Sequence, residues 1–385
     1  MAGSALITGA ADTPVGRLPE HNCMSMQAAA AREAITDAGL TVNDIDGVLA
    51  GFSFTQPHLM LASVFCEYMG LKPGFTTAVQ SGGATACTAI MLAAALVETK
   101  MCRHVLVVTG DNRLTGLPPG GAAAMLAQVG HPEFEQPYGI SVPAAYALVA
   151  LRYMHEYGVS AEHLAAIAVT QRSYAAQHPH AHMRDPITVD DVMKSRTIAA
   201  PLKLLDCCLV SDGAAAVIVS APHHADGERA RIAILGAGQG HTHEHISAAP
   251  SLIHFGCNAS AQQAFARAGV TPSDIDVAEI YDSFTITLAV ELESMGFFGK
   301  GEAGRAATAG ELGPKGRLPC NTHGGLLSYG HSGAAGGMFH VVEAVHQLRG
   351  ASGPRQVGGA ELAFVHGDGG ILSAHCSLVL GRVQR

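Results

Sequence analysis

The stretch Thr76–Glu98, TTAVQSGGATACTAIMLAAALVE, joins a short β-branched segment to a long apolar helix through the break Ser81-Gly82-Gly83. A helix entered this way leaves its first N–H groups unpaired and aimed past the end of the strand. Three such donors can cradle a carbonyl oxygen or a developing oxyanion. The plainer alternative is a core helix with a glycine turn. A second glycine-rich helix start, Gly330-His331-Ser332-Gly333, adds an imidazole. Two histidine runs, His178-Pro-His180-Ala-His182 and His241-Thr-His243-Glu-His245, alternate as metal ligands sometimes do. Neither has a fixed carboxylate partner in its loop, so packed or solvated imidazoles are expected and no metal site is assigned.

The elements that must position these groups alternate between strand and helix. Ala5 to Ala11 reads as a strand, Met24 to Ala38 as a helix ended by Gly39, and Gly47 to Phe52 as a strand. Leu59 to Met69 is helical, Phe75 to Val79 a strand, and His104 to Thr109 a continuous apolar strand of the kind buried on both faces. This βαβα order predicts mostly parallel sheets covered by helices. From about residue 112 to 205 the alternation gives way to a loop-rich insertion beginning at Pro118-Pro119-Gly120-Gly121. Within it, helices are predicted near Val142 to Tyr157 and Ala161 to Gln177, with Ser160 as an N-cap. Strand structure resumes at Ala214 to Ser220, and Pro222 to Glu228 reads as a polar linker.

At 385 residues the chain exceeds a usual single core, so two domains or an internal duplication are expected. With 48% apolar and 14% charged residues it can bury a large interior. A net charge of −9 without a basic cluster excludes nucleic acid and anionic membranes as obvious partners. Nine cysteines in no zinc pattern point to reduced thiols in a cytoplasmic setting. The start at Met1 lacks a signal-peptide pattern, and the longest apolar run, within Ala84 to Val97, is too short for a membrane span.

The second half repeats the first. AREAITDAGLTVNDIDGV (Ala31 to Val48) aligns without a gap on AQQAFARAGVTPSDIDVA (Ala261 to Ala278). Each copy reads as a helix ended by glycine, a polar turn and a strand. Gly330–Gly333 then takes the place that Gly82-Gly83 holds in the first half. Two halves, residues 1–225 and 228–385, related by a pseudo-twofold would bring the two helix starts together, with a ligand at their junction.

Four stretches converge on one resemblance: Gln80-Ser81-Gly82-Gly83-Ala84-Thr85, Tyr281-Asp282-Ser283-Phe284, Asn321-Thr322-His323-Gly324-Gly325 through Gly333, and His366-Gly367-Asp368-Gly369-Gly370. Together they resemble the motif blocks of the thiolase superfamily, in its sterol-carrier or lipid-transfer branch. Tyr146, Arg152-Tyr153-Met154, Pro201-Leu202 and Ser211 to Ala216 are similar to that branch's loop domain. The resemblance implies an α/β thiolase fold: two duplicated half-domains in a layered αβαβα arrangement with an inserted loop domain.

In that family the nucleophilic cysteine stands seven residues before the position matched by Ile90, which here is Gly83. Glycine has no side chain to acylate, so the covalent route is closed at this position. Ser81 and Cys87 are the alternative nucleophiles, Ser81 without a visible histidine partner and Cys87 on an apolar segment suited to a packed thiol. Tyr281 replaces the first residue of the family's Asn-Glu-Ala-Phe or His-Asp-Cys-Phe block, whose side chain faces the reacting carbonyl. A phenol there can donate to an oxyanion or handle a proton. His331 matches the histidine of the Gly-His-Pro block, with Ser332 in place of proline, and implies an oxyanion donor and proton carrier. Tyr329 is a candidate second hydroxyl in the same pocket, and His366 falls where the branch replaces the second cysteine by histidine. The backbones of Gly83 and Gly370 are the implied oxyanion donors.

Oxyanion pockets without the nucleophile suit an enzyme that works at the Cα–Cβ bond of an acyl-CoA thioester through an enolate. Retro-aldol cleavage of a β-hydroxyacyl-CoA is the reading the resemblance implies, as for the side-chain aldolases of that branch. The alternatives are a β-ketoacyl-CoA thiolase or acyltransferase with a non-standard nucleophile, and a non-catalytic acyl-CoA or lipid-binding subunit. No cofactor is implied beyond the coenzyme A of the substrate. The resemblance also implies a homodimer and a small OB-fold and zinc-ribbon partner protein.

Overall fold

The apolar run Val105-Leu106-Val107-Val108 lies within a strand, His104–Asn112, that is buried along its whole length. A strand covered on both faces has no polar side to present, which is why its sequence is continuous rather than alternating. The computed structural model describes residues 5–224 and 231–383. In chain order the strands are β1 (Leu6–Asp12), β2 (Gly47–Gly51), β3 (Phe75–Val79), β4 (His104–Asn112), β5 (Thr197–Ala199), β6 (Leu202–Lys203), β7 (Asp212–Ser220), β8 (Ile232–His241), β9 (Val277–Ile280), β10 (Leu362–Gly369) and β11 (Ala374–Arg382). The helices are α1 (Cys23–Asp37), α2 (Leu61–Met69), α3 (Thr85–Glu98), α4 (Gly121–Leu126), α5 (Val142–Tyr157), α6 (Ala161–Ala175), α7 (Val189–Lys194), α8 (Cys257–Ala268), α9 (Thr285–Ser294), α10 (Ala303–Thr308), α11 (Gly325–Ser328) and α12 (Ala335–Arg349).

The strands run β3-β2-β4-β7-β1-β8-β11-β10-β9. Apart from β3 this order is a palindrome: β2-β4-β7-β1 from one half meets β8-β11-β10-β9 from the other. Among the described residues only β2–β3, β2–β4 and β9–β10 pair parallel. The sheet is therefore mixed rather than mostly parallel as the βαβα order predicted, because β7 and β1, β8 and β11 enter antiparallel to their neighbours. The halves join where β1 and β8 pair through Leu6–Ala233 and Ile7–Ile232. The repeat in the sequence now has a physical meaning. Thr41 and Thr271 each cap a short 3₁₀ turn, with N–H groups donating to Asp44 at 2.8 Å and Asp274 at 2.7 Å. Asp46 accepts from the N–H groups of Arg103 and His104 at the start of β4. Asp276 accepts from those of Glu361 and Leu362 at the start of β10. Each aspartate thus pins the neighbouring parallel strand in register.

Helix α3 packs on β2 and β4 of its own half and also on β10 and β11; α12 packs on β9 and β10 and also on β1 and β7. These two helices therefore lie between the halves, while α1 covers β1, β4 and β7 and α8 covers β8 and β11. The result is the layered αβαβα arrangement, with the two glycine-rich helix starts in its centre. Gly337 of α12 shows how close they come, since a β-carbon there would lie 2.5 Å from the Gly83 carbonyl oxygen.

Between β4 and β7 the chain makes the expected excursion through α4–α7 and the β5–β6 pair. Ser160 caps α6 as the spacing indicates, and α6 packs against α9, α10 and α11 of the second half. Of the predicted linker, Pro222–His224 forms a short 3₁₀ turn and residues 225–228 lie outside the described residues. Among the described residues no helix is long and apolar enough to cross a membrane.

Candidate active site

Strand β9 ends at Ile280, and the clamp on that end comes from the third block. Asn321, at φ 53, accepts the Ile280 N–H at 2.6 Å and donates its own amide to Ile280 O at 2.8 Å. Tyr281 follows, its N–H donating to His366 O at 3.0 Å and its ring 5% exposed. Asp282 turns the other way and accepts the Leu326 N–H of α11 at 2.6 Å. A β-carbon on Gly325 would overlap that carboxylate at 2.1 Å, so the glycine in Gly324-Gly325 is required.

The Tyr281 hydroxyl lies 2.9 Å from His331 Nε2, with the two rings nearly perpendicular. The opposite nitrogen, His331 Nδ1, is 3.2 Å from Cys208 Sγ. Ser211 holds the histidine backbone: its N–H donates to His331 O at 3.0 Å and its Oγ accepts His331 N–H at 3.3 Å. Gly336 leaves room for the imidazole, because a β-carbon there would lie 2.7 Å from His331 Cδ2. Arg113, just past β4, is buried against the Phe54 ring with its guanidinium carbon 5.2 Å from the ring centroid.

Electrostatics fix the direction of these hydrogen bonds. Burial, then the neighbouring Cys208 and Asp368, push the Tyr281 phenol well above its ordinary value, so it keeps its proton. Burial and the Arg113 charge hold His331 well below the usual histidine value, so it stays neutral. The phenol therefore donates to Nε2, and Nδ1–H faces the Cys208 sulfur. Burial pushes the Cys208 thiol up to about 12 although Arg113 draws it down. The arrangement is a proton path, Tyr281 to His331, beside a buried guanidinium.

Gly83 opens α3 directly against this pair. A β-carbon on Gly83 would stand 2.1 Å from Tyr281 Cζ and 2.2 Å from Asp368 O. On Gly82 it would stand 2.7 Å from Gly369 Cα and 3.0 Å from the Gly370 nitrogen. The first and fourth blocks thus meet backbone to backbone, and the second meets Gly83 through the Tyr281 ring. The cradle expected at this helix start is smaller than its three donors, because Ala84 N–H is taken by Ser81 O and Thr85 N–H by Gly82 O.

Other residues singled out from the sequence lie elsewhere. The Tyr329 hydroxyl does not join the pair; it donates to Asp12, and its ring packs on His178, His323 and Phe339. His366 shares a backbone bond with Tyr281, but its imidazole contacts Ser377, His375 and Glu291 in a sealed interior. The Ser81 hydroxyl donates to Thr88 at 3.2 Å, and among the described residues no histidine is hydrogen-bonded to it. Cys87 is fully buried in the core, with its thiol driven up by burial. Of the histidine runs, His243 bonds to Ile371 O and His182 to Ser211, while His180 and His241 are exposed. Among the described residues, metal-ligand groupings arise instead at Glu279, His323 and His340 and at Glu291, His366 and His375.

Residues 5–222 match the family model described as "Thiolase, N-terminal domain", and residues 238–382 match "Thiolase C-terminal domain-like". The chain belongs to the thiolase family. Among relatives of this thiolase-family chain is a steroid side-chain-cleaving aldolase of Thermomonospora curvata, 35% identical over 91% of this chain and 92% of that protein. A 17-hydroxy-3-oxo-4-pregnene-20-carboxyl-CoA lyase of Mycobacterium tuberculosis is 33% identical over 99% of this chain and 100% of the lyase. An acetyl-CoA acetyltransferase of Methanothermobacter thermautotrophicus is also 33% identical, over 96% and 98%. The solved structure described as "Ltp2-ChsH2(DUF35) aldolase" superposes with a TM-score of 0.87 at 33% identity, covering 99% of this chain and 98% of its own.

Cys208 and Arg113 escaped the sequence reading of this thiolase. Cys208 counted only among the nine cysteines without a zinc pattern, and Arg113 was not singled out. The one available signal was position, since both flank the junctions of the loop domain with β4 and β7.

Proposed function

We propose that this thiolase-family enzyme cleaves the Cα–Cβ bond of a β-hydroxyacyl-CoA by a retro-aldol step through a thioester enolate, without an acyl-enzyme. One observation carries the reading: the Tyr281 phenol, hydrogen-bonded to a neutral imidazole, fills the space where a side chain on residue 83 would stand. The substrate β-hydroxyl gives its proton to the Tyr281 oxygen while Tyr281 passes its own to His331 Nε2. The O–H electrons form the carbonyl, the Cα–Cβ bond breaks, and its electrons become the enolate. The Gly83 and Gly370 amides and the Arg113 charge stabilise the enolate oxygen. The proton taken up by His331 returns through the Tyr281 hydroxyl to Cα, which restores both side chains and releases the shortened acyl-CoA. Coenzyme A enters as part of the substrate, and lipid metabolism is the setting that fits.

The lyase and aldolase among the relatives support this reading. The DUF35 component of the similar solved structure supports a small OB-fold and zinc-ribbon partner here. A homodimer through the sheet edge is supported by β3, an edge strand whose Thr76, Thr77 and Ala78 are exposed. Unpaired cysteines fit a cytoplasmic setting.

A second reading, acyl transfer through an unusual nucleophile, is favoured by the Cys208 thiol beside His331 and by the acetyltransferase relative. The purified chain, alone and with a DUF35-type partner, is assayed against β-hydroxyacyl-CoA and β-ketoacyl-CoA panels with intact-mass analysis. Cleavage of the β-hydroxy compounds with no adduct supports the aldolase. A covalent acyl group with CoA-dependent cleavage of the β-keto compounds supports the transferase. Tight binding without turnover under every condition leaves a binding subunit.

A further inference from the structure

Next to the proton path lies a group of titratable side chains that the proposed reaction does not use. His366 of β10 lies two residues before Asp368, the register partner of His375 on β11, and Glu291 of α9 completes the group. His366 Nε2 is 3.2 Å from His375 Nδ1 and 3.4 Å from Glu291 Oε1, and His375 Nδ1 is 3.8 Å from the same oxygen. All three side chains are fully buried. Nitrogen and oxygen donors bound to one zinc-class ion at tetrahedral angles stand about 3.4 Å apart, close to this spacing.

The outward nitrogens are also held as a metal site requires. His375 Nε2–H donates to Leu372 O at 2.9 Å, which turns the Nδ1 lone pair inward. His366 Nδ1 is fixed by Ser377 Oγ at 2.8 Å, which leaves Nε2 to face the group. Such outer partners are what orient metal-binding imidazoles. Among the described residues, neither Glu291 oxygen has a hydrogen-bond partner, and neither does Asp368 Oδ1, 3.8 Å from His375 Nδ1. Carboxylates buried without partners are strongly disfavoured unless a cation or a proton neutralises them. The other grouping explains itself differently, because Glu279 Oε1 accepts from Thr322 and Oε2 pairs with His323 at 3.0 Å.

We infer that Glu291, His366 and His375 hold one divalent transition ion of the zinc class, with Asp368 in reach as a fourth donor. The ion would tie the β10–β11 hairpin to α9. That hairpin carries the Asp368–Gly370 backbone that packs on Gly82 and Gly83, so the ion positions the oxyanion side of the site rather than the proton path.

The test uses the full chain, expressed without a histidine tag, passed through gel filtration and measured for metal by mass spectrometry. About one zinc per chain is expected, and growth on cobalt should give the intense visible bands of a tetrahedral site. Glu291→Gln and His375→Gln should lose the metal, while Glu279→Gln keeps it. Wild-type protein with no stoichiometric metal and no cobalt spectrum overturns the inference, and needs no variant to fold. So does metal retained in Glu291→Gln and lost from Glu279→Gln. The metal content is read without turnover, so this result stands apart from the fate of the aldolase reading.

Discussion

Tyr281 and Gly83 share one volume: a β-carbon built on Gly83 would lie 2.1 Å from Tyr281 Cζ, well inside contact distance. The phenol ring and a side chain at residue 83 therefore exclude each other. Absence of the nucleophile and presence of the tyrosine are one structural change, and the chemistry follows from both together.

Tyr281→Phe removes the proton-handling group but keeps the ring in place. Turnover of a β-hydroxyacyl-CoA should fall by about 10²-fold or more with KM little changed. His331→Ala should fall by a similar factor, and the double variant should be no worse than the poorer single, because the two act as a unit. Additive losses would dissolve the pair.

Gly83→Ala forces a methyl group against both Tyr281 Cζ and the Asp368 carbonyl oxygen, 2.2 Å away. Overpacking of this kind costs about 1–3 kcal/mol. Urea unfolding should show that loss; an alanine variant as stable as the parent would mean that Tyr281 does not sit where it is placed.

Arg113→Gln takes the buried positive charge from beside His331 and Tyr281. The rate of C–C cleavage should drop by about 10²-fold, the scale of a lost oxyanion stabiliser. Arg113→Lys should recover part of it, since the charge returns without the planar fork. Steady-state kinetics on the three proteins decide this.

Cys208→Ala separates the two catalytic readings. An aldolase should keep most of its cleavage activity, because the thiol only faces His331 Nδ1. An acyl-enzyme mechanism through Cys208 should lose both turnover and any covalent adduct, as read by intact mass.

The acid limb of kcat/KM should lie below pH 6.5. Burial and Arg113 lower the folded-state value of His331, so as pH falls the neutral acceptor persists past the point where a free histidine is protonated. The sign for stability is related: an unfolded chain takes up that proton near pH 6.5 and the folded one does not. This site therefore lowers stability as pH falls through 6.5 towards the folded value. A limb at or above 6.5 would remove His331 as the acceptor.

Much of the fold was legible because its signals are local. The apolar run at 104–109, the glycine ends at Gly39 and Gly269 and the Thr–Asp caps of each repeat depend on neighbouring residues alone. Hence the strand and helix edges in the structure fall within a few residues of those expected. The duplication was equally readable, since Asp46 and Asp276 carry the same duty in each half. Tyr281 and His331 were singled out through motif position, and the structure places the phenol 2.9 Å from His331 Nε2. Tyr329 was assigned to the same pocket from its place two residues before His331. The turn between them instead sends its hydroxyl to Asp12, on a strand more than three hundred residues away.

The amino-acid sequence alone determined the order of elements, the repeated half and the bare backbone at Gly83, because periodicity, capping and the lack of a side chain are properties of short stretches. Only the tertiary structure decided that Arg113 and Cys208 border the proton path and that His366 turns away into a buried group with His375 and Glu291. Those outcomes depend on which face of a strand a side chain leaves from and what packs against it. Both are set by sheet register and by elements far apart in the chain.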